Sequence, residues 1–253
     1  MDRNNNKLAS ATSNVTTFMA QTLPSNLTDF QTILARAQER KGGAKNLSAL
    51  LRSPLTSTEL TNIPEDRYLS AITRCINRAG FSWKVIDQKW PEFEEAFFGF
   101  KVDTLALLSD EQWEAYLDDR RVVRSGQKIK ALRDNVSFVY DLRFTDKGIA
   151  QLIANWPTDD QIGLMATLKK RGSRLGGNTG QYFLRMMGKD SFVLSRDVIL
   201  ALQSAGLDIK AEPSSQKEMK LIQAAFNEWH QQSQLTYTQL SQICAFSNGD
   251  NYL

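Results

Sequence analysis

A short basic segment with several glycines carries the clearest chemical signal in the sequence. Its key residues, in order, are Lys169, Lys170, Arg171, Gly172, Arg174, Gly176, Gly177 and Thr179. Glycine lets the chain turn tightly and lets backbone N–H groups approach an anion closely. The basic residues end one predicted helix, and a second begins just after the glycines, where unpaired N–H groups and the positive end of a dipole attract negative charge. The pattern is typical of a phosphate-binding turn between two helices.

A carboxylate, Asp197, follows the second of these helices after the apolar string Phe192-Val193-Leu194. A carboxylate can stabilise a positively charged transition state and can orient or deprotonate an attacking water. Aspartate is also a favoured N-cap residue, and the apolar run that starts at Val198 predicts a helix immediately after it. Both roles stay open, and one residue can fill both.

Length and composition predict one large domain or two lobes that share a core. The 253 residues are 42% hydrophobic and carry a net charge of only +3, so a surface for a polyanion requires local clustering of charge. Apolar runs fall short of the roughly 18 residues that indicate a membrane helix. The N-terminus lacks an apolar export signal, and we expect a cytoplasmic protein.

Helical periodicity dominates the chain from Leu27 onward, and no segment alternates in the manner of a strand. The sequence therefore predicts an all-α fold. Residues 1–26 are rich in Asn, Ser and Thr and are predicted to be a disordered tail. Capping boxes predict helix starts at Ser109, Thr158, Ser215 and Thr236. Prolines are expected in the connections at Pro91, Pro157 and Pro213.

Three strings in this order resemble the helix-hairpin-helix DNA glycosylases, and most of all the 3-methyladenine DNA glycosylase I family. They are Ala79-Gly80-Phe81-Ser82-Trp83, Val122-Val123-Arg124-Ser125-Gly126-Gln127-Lys128-Ile129 and Leu168-Lys169-Lys170-Arg171-Gly172. The resemblance runs from about Tyr68 to Asp197. It implies a two-lobed helical bundle with a helix-hairpin-helix motif over residues 27–253. One lobe would hold residues 66–185, and the other would combine 27–60 with 198–246.

The resemblance also implies a function. The family excises an alkylated purine, 3-methyladenine, from double-stranded DNA by flipping the damaged base into a pocket and hydrolysing its N-glycosidic bond. Trp83 matches the tryptophan that lines this pocket, although a tryptophan at a helix end can also be a core residue. Asp197 is the candidate catalytic residue, and the glycine-rich turn is the candidate grip on the DNA backbone. A monomer without a cofactor is expected.

Two positions depart from the resembled pattern. Cys75 lies eight residues before Trp83, at the base-pocket position where the family has a glutamate that contacts the methylated base. Cysteine offers no such charged acceptor, so another modified base is an alternative substrate. Asn178 stands where lyase relatives have a lysine that forms a Schiff base, so a monofunctional enzyme is predicted.

Two further questions are whether the chain binds a metal and whether it is an enzyme at all. The chain has two cysteines, Cys75 and Cys244, and one histidine, His230, so a four-cysteine iron–sulfur cluster is excluded. Members of the resembled family hold zinc with Cys and His near the chain ends, and that set is missing, so no metal is predicted. Cys75 also favours a rival interpretation, a helix-hairpin-helix DNA-binding protein that has lost excision.

Overall fold

The computed structural model describes residues 23–248, and its regular elements in that range are all helices. The all-α prediction is confirmed. The predicted tail lies outside the described residues as far as residue 22. The helices are α1 (Phe30–Arg40), α2 (Ala44–Leu50), α3 (Ser57–Thr61), α4 (Glu65–Arg78), α5 (Trp83–Ala96), α6 (Val102–Ala106), α7 (Asp110–Ala115), α8 (Gly126–Thr145), α9 (Ile149–Asn155), α10 (Gln161–Arg171), α11 (Gly177–Met187), α12 (Arg196–Ser204), α13 (Gln216–Ser233) and α14 (Tyr237–Phe246), with short 3-10 turns at Phe98–Phe100 and Thr158–Asp160.

Buried apolar side chains form two clusters. The first draws on residues between Tyr68 and Met187, with Trp90 stacked on Phe93 and Phe100 at ring distances of 4.9 and 5.6 Å. The second joins α1 and Leu47 of α2 to the chain after residue 191, and Phe192 stacks on Phe226 at 4.4 Å.

Helix α3 packs on the first cluster, although the sequence assigned residues up to 60 to the second lobe. The Tyr68 hydroxyl donates to the Leu60 carbonyl at 2.8 Å, and Ser57 Oγ donates to the Ala154 carbonyl of α9 at 3.3 Å. Leu60 is buried by these contacts, and burial of its side chain decides where this short helix docks.

Three of the four predicted helix starts are confirmed, because Ser109, Ser215 and Thr236 each form a capping box. Thr158 is wrong: it begins a 3-10 turn, and Asp160 caps α10 by accepting from the Gly163 N–H at 3.1 Å. The expected connection at Pro91 is also wrong, because Pro91 lies inside α5. Buried packing of the neighbouring Trp90 offsets the backbone hydrogen bond that proline removes.

Candidate functional site

The basic, glycine-rich segment forms a tight turn between two helices. Helix α10 ends at Arg171 and α11 begins at Gly177. Asn135, fully buried on α8, holds the turn through both ends of its amide: Nδ2 donates to the Ser173 carbonyl, and Oδ1 accepts from the Ser173 N–H, each at 2.9 Å. No side chain caps the start of α11, so its first N–H groups are available to an anion. Thr179 lies in this first turn.

Glycines shape this turn for different reasons. A Cβ at Gly172 would come within 2.6 Å of the buried Leu175 side chain, and one at Gly180 within 2.4 Å of the Leu175 carbonyl. Gly177 has a φ of +57°, which disfavours other residues. Gly176 is less constrained, since a Cβ there meets only the flexible side chain of Lys169 at 3.3 Å. Gly180 was not among the predicted residues of the turn. Its spacing of four from Gly176 was the signal that could have identified it.

The predicted cations of the turn divide into two groups. Lys169, Lys170 and Arg174 are exposed, and Arg174 donates to Gln127 at the start of α8. Arg171 instead turns back toward the protein, where it pairs with Asp146 at 2.7 Å and donates to Thr145 at 2.8 Å. Three exposed cations therefore remain at the turn, and Arg171 braces the end of α10.

Lys128, in the second of the three strings, contacts the first string and lies near Arg174 of the glycine-rich turn. Its Nζ donates to the carbonyls of Asn77 and Ala79 at 2.8 and 3.0 Å and lies 4.2 Å from the Phe81 ring centroid. These bonds cap the end of α4. Burial, with a contribution from nearby Arg174, lowers the pKa of Lys128 to about 8. The α4–α5 connection, the start of α8 and the glycine-rich turn thus form one surface.

The lowered pKa of Lys128 predicts a pH-dependent stability. The folded chain releases this proton near pH 8 and the unfolded chain near 10.5, so the unfolded chain binds more protons between these values. The cost in stability of keeping Lys128 charged in the folded chain is fully present below pH 8 and fades as the pH rises towards 10.5. Urea unfolding of wild type and Lys128→Met at pH 7.5 and 9.5 measures this. The wild type should gain stability relative to the variant at the higher pH, and an unchanged difference would contradict the prediction.

Trp83 is the first residue of α5 and is 45% exposed, so its interpretation as a core residue is wrong. Its ring meets Tyr182 edge to face at a centroid distance of 5.1 Å. The Arg78 guanidinium lies 4.9 Å from the Trp83 ring centroid and is held by Asp87 through hydrogen bonds of 2.6 Å. Arg78, which is salt-bridged to Asp87, and Tyr182 together fix the orientation of the Trp83 indole. Part of the surface of this indole remains exposed.

Trp83 lines a cavity of about 330 Å³ at the junction of the two clusters. The volume is within the roughly 300–1,000 Å³ that is common for ligand sites. Its apolar wall is Trp83, Tyr182, Met186, Val193, Val198 and Ala245. Its polar wall is Arg52, Arg78, Arg185, Ser195, Ser241 and Gln242. An aromatic face beside hydrogen-bonding groups suits a flat heteroaromatic ring.

Cys75 is not part of this cavity. It lies on the buried face of α4, 5% exposed, and belongs to the first hydrophobic cluster. Burial raises the pKa of its thiol to about 12, so the group stays protonated at neutral pH. Helix α4 turns this position into the core, and Cys75 is therefore absent from the cavity wall.

Asp197 is the second residue of α12 and is half-buried. Its interpretation as an N-cap is wrong, because Ser195 caps the helix by accepting from the Val198 N–H at 3.4 Å. Ser195 and Val198 line the cavity, whereas Asp197 does not. Positions 195 and 198 share a helix face, and position 197 is rotated by about 100° from 198. The carboxylate thus lies beside the cavity.

Two buried glutamines position the segment that leads to Asp197. Gln161 donates to the Phe192 carbonyl at 2.7 Å and accepts from the Phe192 N–H at 2.6 Å. Gln181 accepts from the Leu194 N–H at 2.6 Å. The role of these two glutamines was not predicted, although each is a polar residue in an otherwise apolar helix face. They fix the extended segment, and with it the start of α12, against α10 and α11.

Among residues 23–248, no group of His, Cys, Asp and Glu side chains has the arrangement of a metal site. No helix in that same range is long and apolar enough to cross a membrane.

The chain is similar to known proteins in both sequence and structure. Residues 63–172 match the family model of methyladenine glycosylase. The structure is similar to 3-methyladenine DNA glycosylase I from Staphylococcus aureus, at 17% identity over 71% of this chain and 99% of that chain, with a TM-score of 0.45. It is also similar to the Methanocaldococcus jannaschii 8-oxoguanine glycosylase/lyase in complex with a 15mer DNA containing 8-oxoguanine, at 14% identity over 88% and 99% of the chains, with a TM-score of 0.51.

No curated protein sequence matches the chain significantly. The family match covers all three strings quoted above and ends at Gly172, the last residue of the third. The resemblance is confirmed over this segment: residues 63–172 match the methyladenine glycosylase family model, and the all-helical fold is similar to that of a solved DNA glycosylase.

Proposed function

We propose that this chain is a DNA glycosylase that removes a damaged purine from duplex DNA by hydrolysing its N-glycosidic bond. The observation that carries the proposal is the cavity beside Trp83, which lies between the two clusters and has room for a flipped base. A base inside a duplex is inaccessible, so an enzyme that cuts its glycosidic bond must extrude it into a pocket of this kind.

The glycine-rich turn would hold the DNA during this step. Its exposed cations and the free start of α11 suit a phosphate, and such contacts position a protein on DNA without reading sequence. The same surface includes Lys128 and the connection that leads to Trp83. The phosphate grip and the base pocket are therefore connected through one short segment of chain. We expect the protein to act as a monomer.

Asp197 is the proposed catalytic carboxylate. Water adds its oxygen to C1′ as the bond from C1′ to the base nitrogen breaks, and the bonding pair leaves with the base. A carboxylate beside the cavity stabilises the positive charge that develops on the sugar and orients the water. The resemblance implies 3-methyladenine as the base. Asn178, exposed at the start of α11, cannot form a Schiff base, so we propose hydrolysis without strand cleavage.

Base release tests the proposal directly. The full chain is incubated with methylated DNA and with DNA carrying oxidised bases, and the freed bases are identified by mass spectrometry. We expect a free purine and an abasic strand that stays intact until it is treated with alkali. Duplex binding without release of any base would contradict a glycosylase and would favour the rival interpretation, a DNA-binding protein that has lost excision.

The phosphate grip predicts a defined effect of Lys170→Glu. The change replaces an exposed cation at the end of α10 by an anion, so duplex affinity should fall about tenfold. The slope of log affinity against log salt should become shallower by about one. Fluorescence anisotropy between 50 and 200 mM salt, roughly the range over which phosphate contacts weaken, measures both. Lys217→Glu on α13 is the matched control, and equal losses in the two variants would argue against a local grip.

A further inference from the structure

The cavity wall is positively charged, and excision of a cationic base gives no reason for that charge. Three guanidinium groups line the cavity, from Arg52, Arg78 and Arg185, and no described carboxylate lines it. Asp87 neutralises Arg78 through a close ion pair. Among the residues that line the cavity, Arg52 and Arg185 therefore carry the net charge.

Arg185 has hydrogen-bonding capacity to spare. Its Nη2 donates to the Ser191 carbonyl at 2.8 Å, but its Nε is buried without a partner. Burial and the proximity of Arg52 lower the pKa of Arg185 to about 10, which still leaves it charged at neutral pH. Asp190, the carboxylate that acts on Arg185, lies outside the wall and accepts from the Thr238 N–H. Arg185 therefore brings positive charge to the wall, and no described carboxylate in the wall pairs with it.

Such a wall opposes a base that arrives with a positive charge, as N3-alkylated adenine does. Cys75 is protonated and packed in the core, so it adds no negative charge to this wall. The carbonyl oxygens of a guanine ring are natural partners of arginine, which only donates hydrogen bonds. Ser241 and Gln242 add neutral hydrogen-bonding groups to the same wall.

The chemistry of bond cleavage leads to the same class of base. A cationic base leaves as a neutral molecule, whereas a neutral base departs with a negative charge until it takes up a proton. Positive groups that line the pocket stabilise this developing charge. In the balanced reaction, the hydroxyl of water ends on C1′ and its remaining proton ends on the departed base.

On the basis of the proposed glycosylase function, we infer that this cavity selects a neutral damaged purine with carbonyl oxygens, such as an oxidised guanine, over a cationic alkylated adenine. Arg185 and Arg52 donate to the base, and Trp83 stacks on its ring.

Single-turnover release from two substrates tests the inference. One is a duplex with a single 8-oxoguanine, and the other is methylated DNA in which 3-methyladenine is quantified; rates are expressed per lesion. Oxidised guanine should leave at least tenfold faster. Faster or equal release of 3-methyladenine would overturn the inference and leave the glycosylase function intact. Release of neither base, with duplex binding retained, would overturn both.

Variants separate the cavity charge from folding. Arg52→Gln changes an exposed side chain and should slow release of oxidised guanine at least threefold more than it slows release of 3-methyladenine. Arg185→Met should have a larger effect, and Arg185→Lys should restore part of the rate. Lys217→Gln, on α13 and outside the wall, is the control for loss of charge. Equal slowing of both bases by Arg52→Gln would contradict a role in selection.

Discussion

Replacement of Asp197 by asparagine is expected to lower the rate of base release by about 10²- to 10⁴-fold, the range typical of a lost catalytic acid or base. Asparagine keeps the size of the side chain but removes the charge that stabilises the sugar cation. A neutral base is a poorer leaving group than a cationic one, so the effect should be greatest for a neutral base. Single-turnover rates measure the loss.

Duplex affinity should be unchanged in Asp197→Asn, because the carboxylate lies beside the cavity and away from the glycine-rich turn. Asp208→Asn, at an exposed position after α12, is the matched control and should retain full activity. Wild-type rates in Asp197→Asn would remove this residue from catalysis. Ser195, which caps α12 and lines the cavity, would then be the next residue to test.

Substitution of Asn135 by alanine is expected to affect both folding and DNA binding. The change leaves the Ser173 N–H and carbonyl without their buried partner, at a cost of about 2 kcal/mol in the free energy of unfolding. It also releases the turn that presents the exposed cations, so duplex affinity should fall at least fivefold. Urea unfolding and fluorescence anisotropy measure the two effects.

A neighbour on the same helix serves as the control for Asn135→Ala. Asp134 is partly exposed and forms an i,i+4 pair with Lys130 at 2.9 Å, a contact worth only about 0.3–0.5 kcal/mol. Asp134→Ala should therefore leave stability and affinity nearly unchanged. If Asn135→Ala lost stability but bound DNA as tightly as wild type, the turn would not depend on this clamp for its binding geometry.

Several features of this protein can be predicted from local patterns in its sequence. The all-α fold follows from apolar periodicity, and the helix starts at Ser109, Ser215 and Thr236 follow from capping residues that act within one turn. The glycine-rich turn between α10 and α11 could also be predicted, because tight turns depend on the residues within them. These features depend on neighbours in the sequence, so the sequence alone reveals them.

Only the tertiary structure decided which side chains meet. Packing of α4 turned Cys75 into the core, and an ion pair with Asp146 drew Arg171 away from the other cations of the turn. Ser195 rather than Asp197 caps α12, and Ser195 and Val198 line the cavity while Asp197 lies beside it. Arg52 and Arg185 lie 133 positions apart and share one cavity wall. Such long-range contacts depend on how whole helices dock, and helix docking is set by the burial of many side chains together rather than by any local pattern.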